Sequence, residues 1–262
     1  MKEQQTNIHP TAVVSPQAEI DDGVCIGPYT HIGEHVKIGK ETTVGAHVVI
    51  EGHTRIGARN SIFPFSTIGT PPQDIGYRGE DTRLIIGDEN VIREYVTVNR
   101  ATTKEEWQTV LGNHNYIMAY AHIAHDCILG DHVIMSNVAT LGGHITIGDY
   151  AILGGLVAIH QFVRVGSYAF LGAKSGIDRD VPPFMITAGP RARLYGVNRK
   201  GLSRMGFSEE TIKGLKRAYS IIWRQNKRFD QGIAQVRQEI EPFAELDLLL
   251  DFFKDTKRGI LR

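Results

Sequence analysis

The chain has 262 residues, enough for a sizeable core, and its 29 Lys and Arg balance 29 Asp and Glu at a pI near 7.2. Zero formal charge excludes bulk electrostatic capture by nucleic acid or an anionic membrane. Two cysteines far apart in sequence, Cys25 and Cys127, exclude a disulfide framework, and a polar start with no 18-residue apolar run leads us to expect a soluble cytoplasmic protein without stable membrane insertion.

From Ile8 onward every sixth residue is aliphatic: Val14, Ile20, Ile26, Ile32, Ile38, Val44, Ile50, Ile56, Ile62 and Ile68. The series returns at Ile86, Ile92 and Val98, shifts phase once, and runs from Leu111 through Ile123, Leu141 and Ile159 to Ile177. A fixed short period is the signature of a solenoid. Period six sets successive aliphatics about 600° apart on a 3.6-residue helix, so no single helical stripe forms. Glycine directly follows the aliphatic at half of the 28 glycine positions, as at Gly27, Gly33 and Gly130. A small or β-branched residue usually stands four after it, as Val24, Thr30 and Cys127 do. One inward aliphatic, one tight bend and one small inward residue describe a short strand and a corner. Three hexads make an 18-residue triangular coil, and stacked coils form parallel sheets with rungs about 4.8 Å apart.

Two segments interrupt the hexads. Residues 69–83 fill an 18-residue gap between Ile68 and Ile86, one coil long, and are expected to stand in for a coil. Residues 101–109, Ala-Thr-Thr-Lys-Glu-Glu-Trp-Gln-Thr, form the second. Loops held on a rigid scaffold are where function concentrates. The repeats end near Val181-Pro182-Pro183. Beyond them Ser208 is placed to cap a helix with Glu209 and Glu210 in its first turn and Ile212, Leu215, Tyr219 and Ile222 as its apolar stripe. A second helix is expected near Asp230, and a third after Pro242, ending near Gly259. The chain thus divides into a parallel β-helix over residues 1–190 and a helical domain over 191–262.

Residues 18 apart lie one above another on such coils. His125, Gly143 and Gln161 form one column, Asp126, His144 and Phe162 the next, and His160 stacks over Gly142 and Ala124. His122 leads into His125. Four of the eleven histidines therefore gather within about three rungs. Three readings are open on geometry alone: polar corners, a zinc site of converging imidazoles with an open position, or a histidine base oriented by Asp126.

Several motifs carry a resemblance. They are Ile8-His-Pro-Thr-Ala, Pro72-Gln-Asp, Ala121-His-Ile-Ala-His-Asp-Cys, Ala139-Thr-Leu-Gly-Gly-His, Ala158-Ile-His-Gln-Phe, Asp180-Val-Pro-Pro, Tyr195-Gly-Val-Asn and Arg258-Gly-Ile-Leu-Arg. Along essentially its whole length the chain resembles the UDP-N-acetylglucosamine O-acyltransferase family of lipid A biosynthesis. The resemblance implies a left-handed β-helix, against the usual right-handed crossover, and a homotrimer with sites between subunits. It implies transfer of a 3-hydroxyacyl group from acyl carrier protein to the glucosamine 3-OH of UDP-N-acetylglucosamine, with no metal and no cofactor. It assigns His125 as general base, Asp126 as its orienting partner and the Gly143 amide as oxyanion donor. Gln73, Asp74, His122 and His144 resemble sugar and acyl contacts; His160, Gln161, Asn198 and Arg204 resemble acyl-pantetheine or nucleotide contacts. Ala173, in a column with Asn137 and Gly155, stands where the family has an acyl-chain ruler.

The chain departs from the family at Gly76, often Lys with Arg78 now nearby, and at Asn99, His in some members. Lys200 and Met205 replace an acid and a second Arg. These departures leave a 3-amino UDP-sugar as the alternative acceptor. A γ-carbonic-anhydrase-like zinc enzyme is the rival on the same fold. The basic residues Lys213, Lys216, Arg217, Arg224, Lys227 and Arg228 are expected to meet the acidic carrier protein.

Overall fold

The computed structural model describes residues 5–225 and 228–262, so Lys227 lies outside the described residues. Each hexad forms a strand of mostly two residues. Strands 18 residues apart pair in parallel, as Asn7–Ile8 pairs with Cys25–Ile26 and Tyr116–Ile117 with Ile134–Met135. The chain visits three sheets in turn, and among the described residues these hold 11, 9 and 8 strands. We number them sheets 1, 2 and 3. They are the walls of a left-handed parallel β-helix. The repeat aliphatics fill its interior: Ile32, Ile50, Ile68, Val98, Ile123 and Leu141 are all buried. Each contributes about 1.5–3 kcal/mol before chain entropy is counted.

The corners have a feature that composition hides. At most corners the residue three after the aliphatic takes the left-handed conformation, and apart from Gly23 it is not glycine: Tyr29, His47, Asp126, His144 and Phe162 have φ of 56°, 56°, 60°, 63° and 67°. The repeat glycine serves stacking instead. A Cβ on Gly27 would sit 2.7 Å from the Gly45 carbonyl carbon of the next coil. Left-handed L-residues cost roughly 1–2 kcal/mol each. Ring stacking offsets part of this: Tyr29, His47, Phe65, Tyr95 and Tyr120 form one ladder with centroids 4.8–5.1 Å apart, and such pairs contribute about 0.5–1.5 kcal/mol.

Residues 69–83 do not replace a coil. Ile68 pairs with Ile50 in sheet 2 and Ile86 with Ile56 in sheet 3, so 18 residues now span a corner that takes six from Ile50 to Ile56. The segment is an excursion from one corner of an otherwise complete coil. Its register survives because the strands at either end still pair with the coil below. Val98 to Leu111 spans the same corner one coil later, again with extra residues. Both excursions leave the prism between sheets 2 and 3.

After the last coil, Met185–Ala188 joins sheet 1 and pairs antiparallel with Arg193–Val197. The expected division after residue 190 falls inside this hairpin. Helix α1, Arg199–Arg204, was not expected; the Asn198 side chain caps it, accepting from Gly201 N at 3.2 Å. Helix α2, Glu209–Tyr219, starts as expected, with Ser208 Oγ accepting from Thr211 N at 3.0 Å. It runs into a π-helical turn, Ser220–Arg224, and α3 is Phe229–Glu239. Helix α4, Ala244–Asp251, stops eight residues short of Gly259. The remaining tail returns to the β-helix, where Gly259 O accepts from Asp180 N and Leu261 N donates to Asp180 O. Phe184, Leu202, Leu215, Val236 and Leu249 belong to a second hydrophobic core. Among the described residues, no helix is long and apolar enough to cross a membrane.

Candidate active site

The corner that carries both excursions also carries His125. Residues 124–127 connect His122–Ile123 of sheet 2 to Ile128–Leu129 of sheet 3. The next coil adds His144 N donating to His125 O at 3.1 Å, and the one after adds Phe162 N donating to Gly143 O at 3.2 Å. The 18-residue columns therefore hold, and the His144 ring stacks on Phe162 at 4.5 Å and meets His125 edge-on at 5.2 Å.

His125 Nδ1 lies 2.7 Å from Asp126 Oδ2. A carboxylate only accepts, so Nδ1 carries the proton and the neutral ring keeps its lone pair on Nε2. Asp126 is itself fixed from the second excursion. Thr102 donates to it through Oγ1 at 2.7 Å and through its backbone N at 3.1 Å to each oxygen. Burial pushes the Asp126 carboxyl up, but the bonds from His125 and Thr102 outweigh it, and it is held below the usual carboxylate range. Gly143 makes the His125 ring position possible: a Cβ there would come within 2.5 Å of His125 Cε1. Among the described residues no backbone carbonyl accepts from the Gly143 N–H.

The neighbours are polar as well. His122 Nδ1 is 2.6 Å from Thr97 Oγ1, and burial, then repulsion from the neighbouring His125 ring when that is protonated, lowers the His122 imidazole. Asp74, on the first excursion, forms an ion pair with Lys104 and accepts from Gly76 N at 2.7 Å. The Lys104 bond, then the Gly76 amide, holds its carboxyl below the ordinary value. Gln73 is exposed on the same loop. His160 and Gln161 are exposed at the same corner two coils on, with His160 Nδ1 3.1 Å from Gln161 O.

Three expected site residues lie elsewhere on the chain. Ala173 is exposed and follows Leu171 of sheet 1, so it sits on a different corner from His125. Asn198 caps α1 and donates to Tyr168 O at 3.2 Å. Arg204 lines a tail groove with Arg199, Lys200, Lys213 and Lys216, and no residue of the His125 corner lines it.

Thr102, Lys104 and Glu105 were missed in the sequence. The available signal was register: Val98 pairs with Ile123, so whatever follows Val98 stacks on residues 124–127.

His125, Asp126 and His144 offer ligand atoms within 4.8 Å of one another. Two ligands of a tetrahedral zinc at ~2.0–2.1 Å stand about 3.3 Å apart. The 2.7 Å His125–Asp126 separation is that of a hydrogen bond. The donor set thus suits an oriented base better than a metal.

A family model described as Udp N-acetylglucosamine O-acyltransferase, Domain 2, matches residues 180–261, and a bacterial transferase hexapeptide model matches 17–52 and 108–143. A relative from Thermodesulfovibrio yellowstonii named acyl-[acyl-carrier-protein]–UDP-N-acetylglucosamine O-acyltransferase is 54% identical over 97% of this chain and 99% of its own. The chain belongs to the UDP-N-acetylglucosamine O-acyltransferase family. Among solved structures it is similar to LpxA from Acinetobacter baumannii, with TM-score 0.95 and 44% identity over 97% of this chain and 99% of that one. The Arabidopsis UDP-N-acetylglucosamine acyltransferase is similar at TM-score 0.86 and 33% identity over 97% and 100%.

The departures of this O-acyltransferase have local reasons. Asn99 Nδ2 donates to Pro71 O at 2.9 Å and to Thr70 Oγ1 at 3.0 Å, closing the first excursion at its base. Arg78 is tied to the loop's own carbonyls, Ile75 O and Tyr77 O. Gly76 turns its amide onto Asp74.

Proposed function

We propose that this O-acyltransferase moves a 3-hydroxyacyl group from the thioester of acyl carrier protein to the 3-OH of UDP-N-acetylglucosamine, the opening step of lipid A synthesis. The observation that carries the reading is the His125–Asp126–Thr102 chain over Gly143. A sugar hydroxyl is a poor nucleophile at neutral pH. His125 Nε2 takes its proton as the oxygen attacks the thioester carbonyl carbon. The carbonyl electrons move to oxygen, and the Gly143 N–H stabilises that oxyanion. Collapse re-forms the carbonyl and breaks the C–S bond, and the imidazolium returns the proton to the departing thiolate.

Direct transfer, with no acyl-enzyme, is supported by the one thiol near the site. Cys127 is buried, its thiol pushed up to about 12 by burial, and it donates to Gly142 O at 3.2 Å. It stays protonated and faces inward.

We further propose that the working form is a cytoplasmic homotrimer. On one chain Ala173 and Arg204 are remote from His125, which suits a site built between copies. An exposed stripe of Tyr29, Phe65, Tyr95, Tyr120, Val138 and Leu156 runs down the corner between sheets 1 and 2 and offers an apolar seam. Gln73, Asp74, His122 and His144 contact sugar and acyl groups, and His160, Gln161, Asn198 and Arg204 the pantetheine or nucleotide.

The test pairs hydroxyacyl carrier proteins of several lengths with 3-OH and 3-amino UDP-sugars. His125→Ala is expected to lower transfer by about 10²–10⁴ with the oligomer mass unchanged by sedimentation. Near-normal turnover would remove His125 from the mechanism, and preference for the 3-amino sugar would reassign the acceptor.

A further inference from the structure

Within four residues, the second excursion touches three members of the candidate site. Thr102 holds Asp126, Lys104 holds Asp74, and Glu105 reaches His144. The Glu105 contact has no role in the chemistry above. Glu105 Oε2 is 3.1 Å from His144 Nδ1, while Oε1 accepts from Lys257 Nζ at 3.3 Å. The His144 side chain is only 3% exposed, and its Nδ1 has no aligned hydrogen bond. Glu105 therefore sits at ion-pair distance from a buried ring nitrogen, off the N–H axis. Lys257 comes from the C-terminal tail, 152 residues away, and also stands over the Phe162 ring on which His144 stacks.

The chemistry of a neutral imidazole gives this contact a consequence. Glu105 as a carboxylate accepts only, so it favours the tautomer with the proton on Nδ1. Nε2 then bears the lone pair, and it lies 3.8 Å from Asp126 Oδ2, the oxygen that orients His125. Asp126 draws the proton toward Nε2 and Glu105, the nearer carboxylate, draws it toward Nδ1; in the opposite tautomer Nε2–H is a donor 3.8 Å from that oxygen, a small ring shift from competing with His125 for it. We propose that Glu105 is a positioning residue: it fixes the His144 tautomer so that Asp126 serves His125 alone, and Lys257 fixes Glu105. The kinetic half of the proposal rests on the acyl-transfer reading above; the tautomer half does not.

The experiment uses the full-length protein labelled with ¹⁵N-histidine, at a pH where the rings are neutral. Wild type is expected to show His144 with Nδ1–H, Glu105→Ala to shift it toward Nε2–H, and Glu105→Gln, whose side-chain carbonyl still accepts, to keep the wild-type tautomer. Lys257→Met is expected to fall between. In turnover, Glu105→Ala should lower kcat about threefold to tenfold, the scale of one hydrogen bond, with the carrier and sugar KM unchanged and Glu105→Gln restoring most of the loss. The double variant with His144→Ala should be no slower than His144→Ala alone. An unchanged His144 tautomer in Glu105→Ala overturns the proposal whether or not the protein turns over these substrates. Multiplying losses in the double variant overturn the route through His144. Absence of transfer by wild type would sink the acyl-transfer reading while leaving the tautomer result to judge Glu105.

Discussion

Replacing Thr102 with Val keeps the shape of the side chain and removes one hydroxyl. That hydroxyl donates to Asp126 Oδ2 at 2.7 Å, the same oxygen that His125 Nδ1 meets at 2.7 Å. The backbone donor from residue 102 remains, so Asp126 loses one of its fixed partners rather than all. Hydrogen bonds to charged groups are worth about 1.5–3 kcal/mol, which bounds the loss in kcat at roughly tenfold to a hundredfold. The sign of the pH effect follows from the depressed carboxyl. A carboxylate whose folded value lies below its unfolded one contributes stability that is fully present above the unfolded value and is lost as pH falls through the folded value. Thr102→Val raises the folded value, so the variant should unfold at lower urea than wild type at pH 7. The two midpoints should converge where both proteins have Asp126 protonated. The acid limb of the kcat profile should also move to higher pH. Thr102→Ser, which keeps the hydroxyl, should behave as wild type in both assays. If Thr102→Val leaves kcat and the acid limb where they were, the Thr102 hydroxyl does not orient Asp126 for catalysis.

Gly143→Ala places a methyl 2.5 Å from the present His125 Cε1 and should displace the ring, costing nearly as much rate as losing the base, with thermal unfolding little changed; an active Gly143→Ala enzyme would mean the imidazole has room to spare. Lys216 on α2 lines the basic groove and has no ion pair among the described residues, whereas Arg217 is paired with Glu239 at 3.2 Å, so Lys216→Glu should raise the carrier-protein KM and flatten its salt dependence more than Arg217→Glu does, as steady-state assays across salt concentration will read. Ala173→Met should shift preference toward shorter acyl chains with the sugar KM unchanged, because one methylene in an apolar pocket discriminates by roughly 1–3 kcal/mol; equal loss at every chain length would make the Asn137–Gly155–Ala173 column structural.

The prism was legible because its strand interiors obey one rule at every sixth residue, and burial of Ile32, Ile68, Ile123 and Leu141 enforces it. The corners were not, because their left-handed residue is chosen for stacking and not for backbone freedom. Tyr29 and His144 take that conformation with stacked rings, but Asp126 takes it with a carboxylate, so no one residue type marks the position. Helix α1 escaped notice because its cap is Asn198, a residue read for ligand contact. The 69–83 segment was misread as a coil because its length imitates one. Only the pairing of Ile86 with Ile56 reveals a corner excursion.

That distinction decides where Thr102, Lys104 and Glu105 stand. A coil residue is held in its column by the strands above and below, so its place relative to the other corners is fixed by the stacking. An excursion escapes the column. It can set a hydroxyl against Asp126, a cation against Asp74 and a carboxylate against His144 while the strands beneath stay in register. The fixed part of the site, His125 and Gly143, belongs to the repeat. Asp126, which meets His125, belongs to the repeat as well; the residues that hold Asp126, Asp74 and His144 belong to the interruptions, where hexad counting stops and only strand register across the gap remains to place a residue.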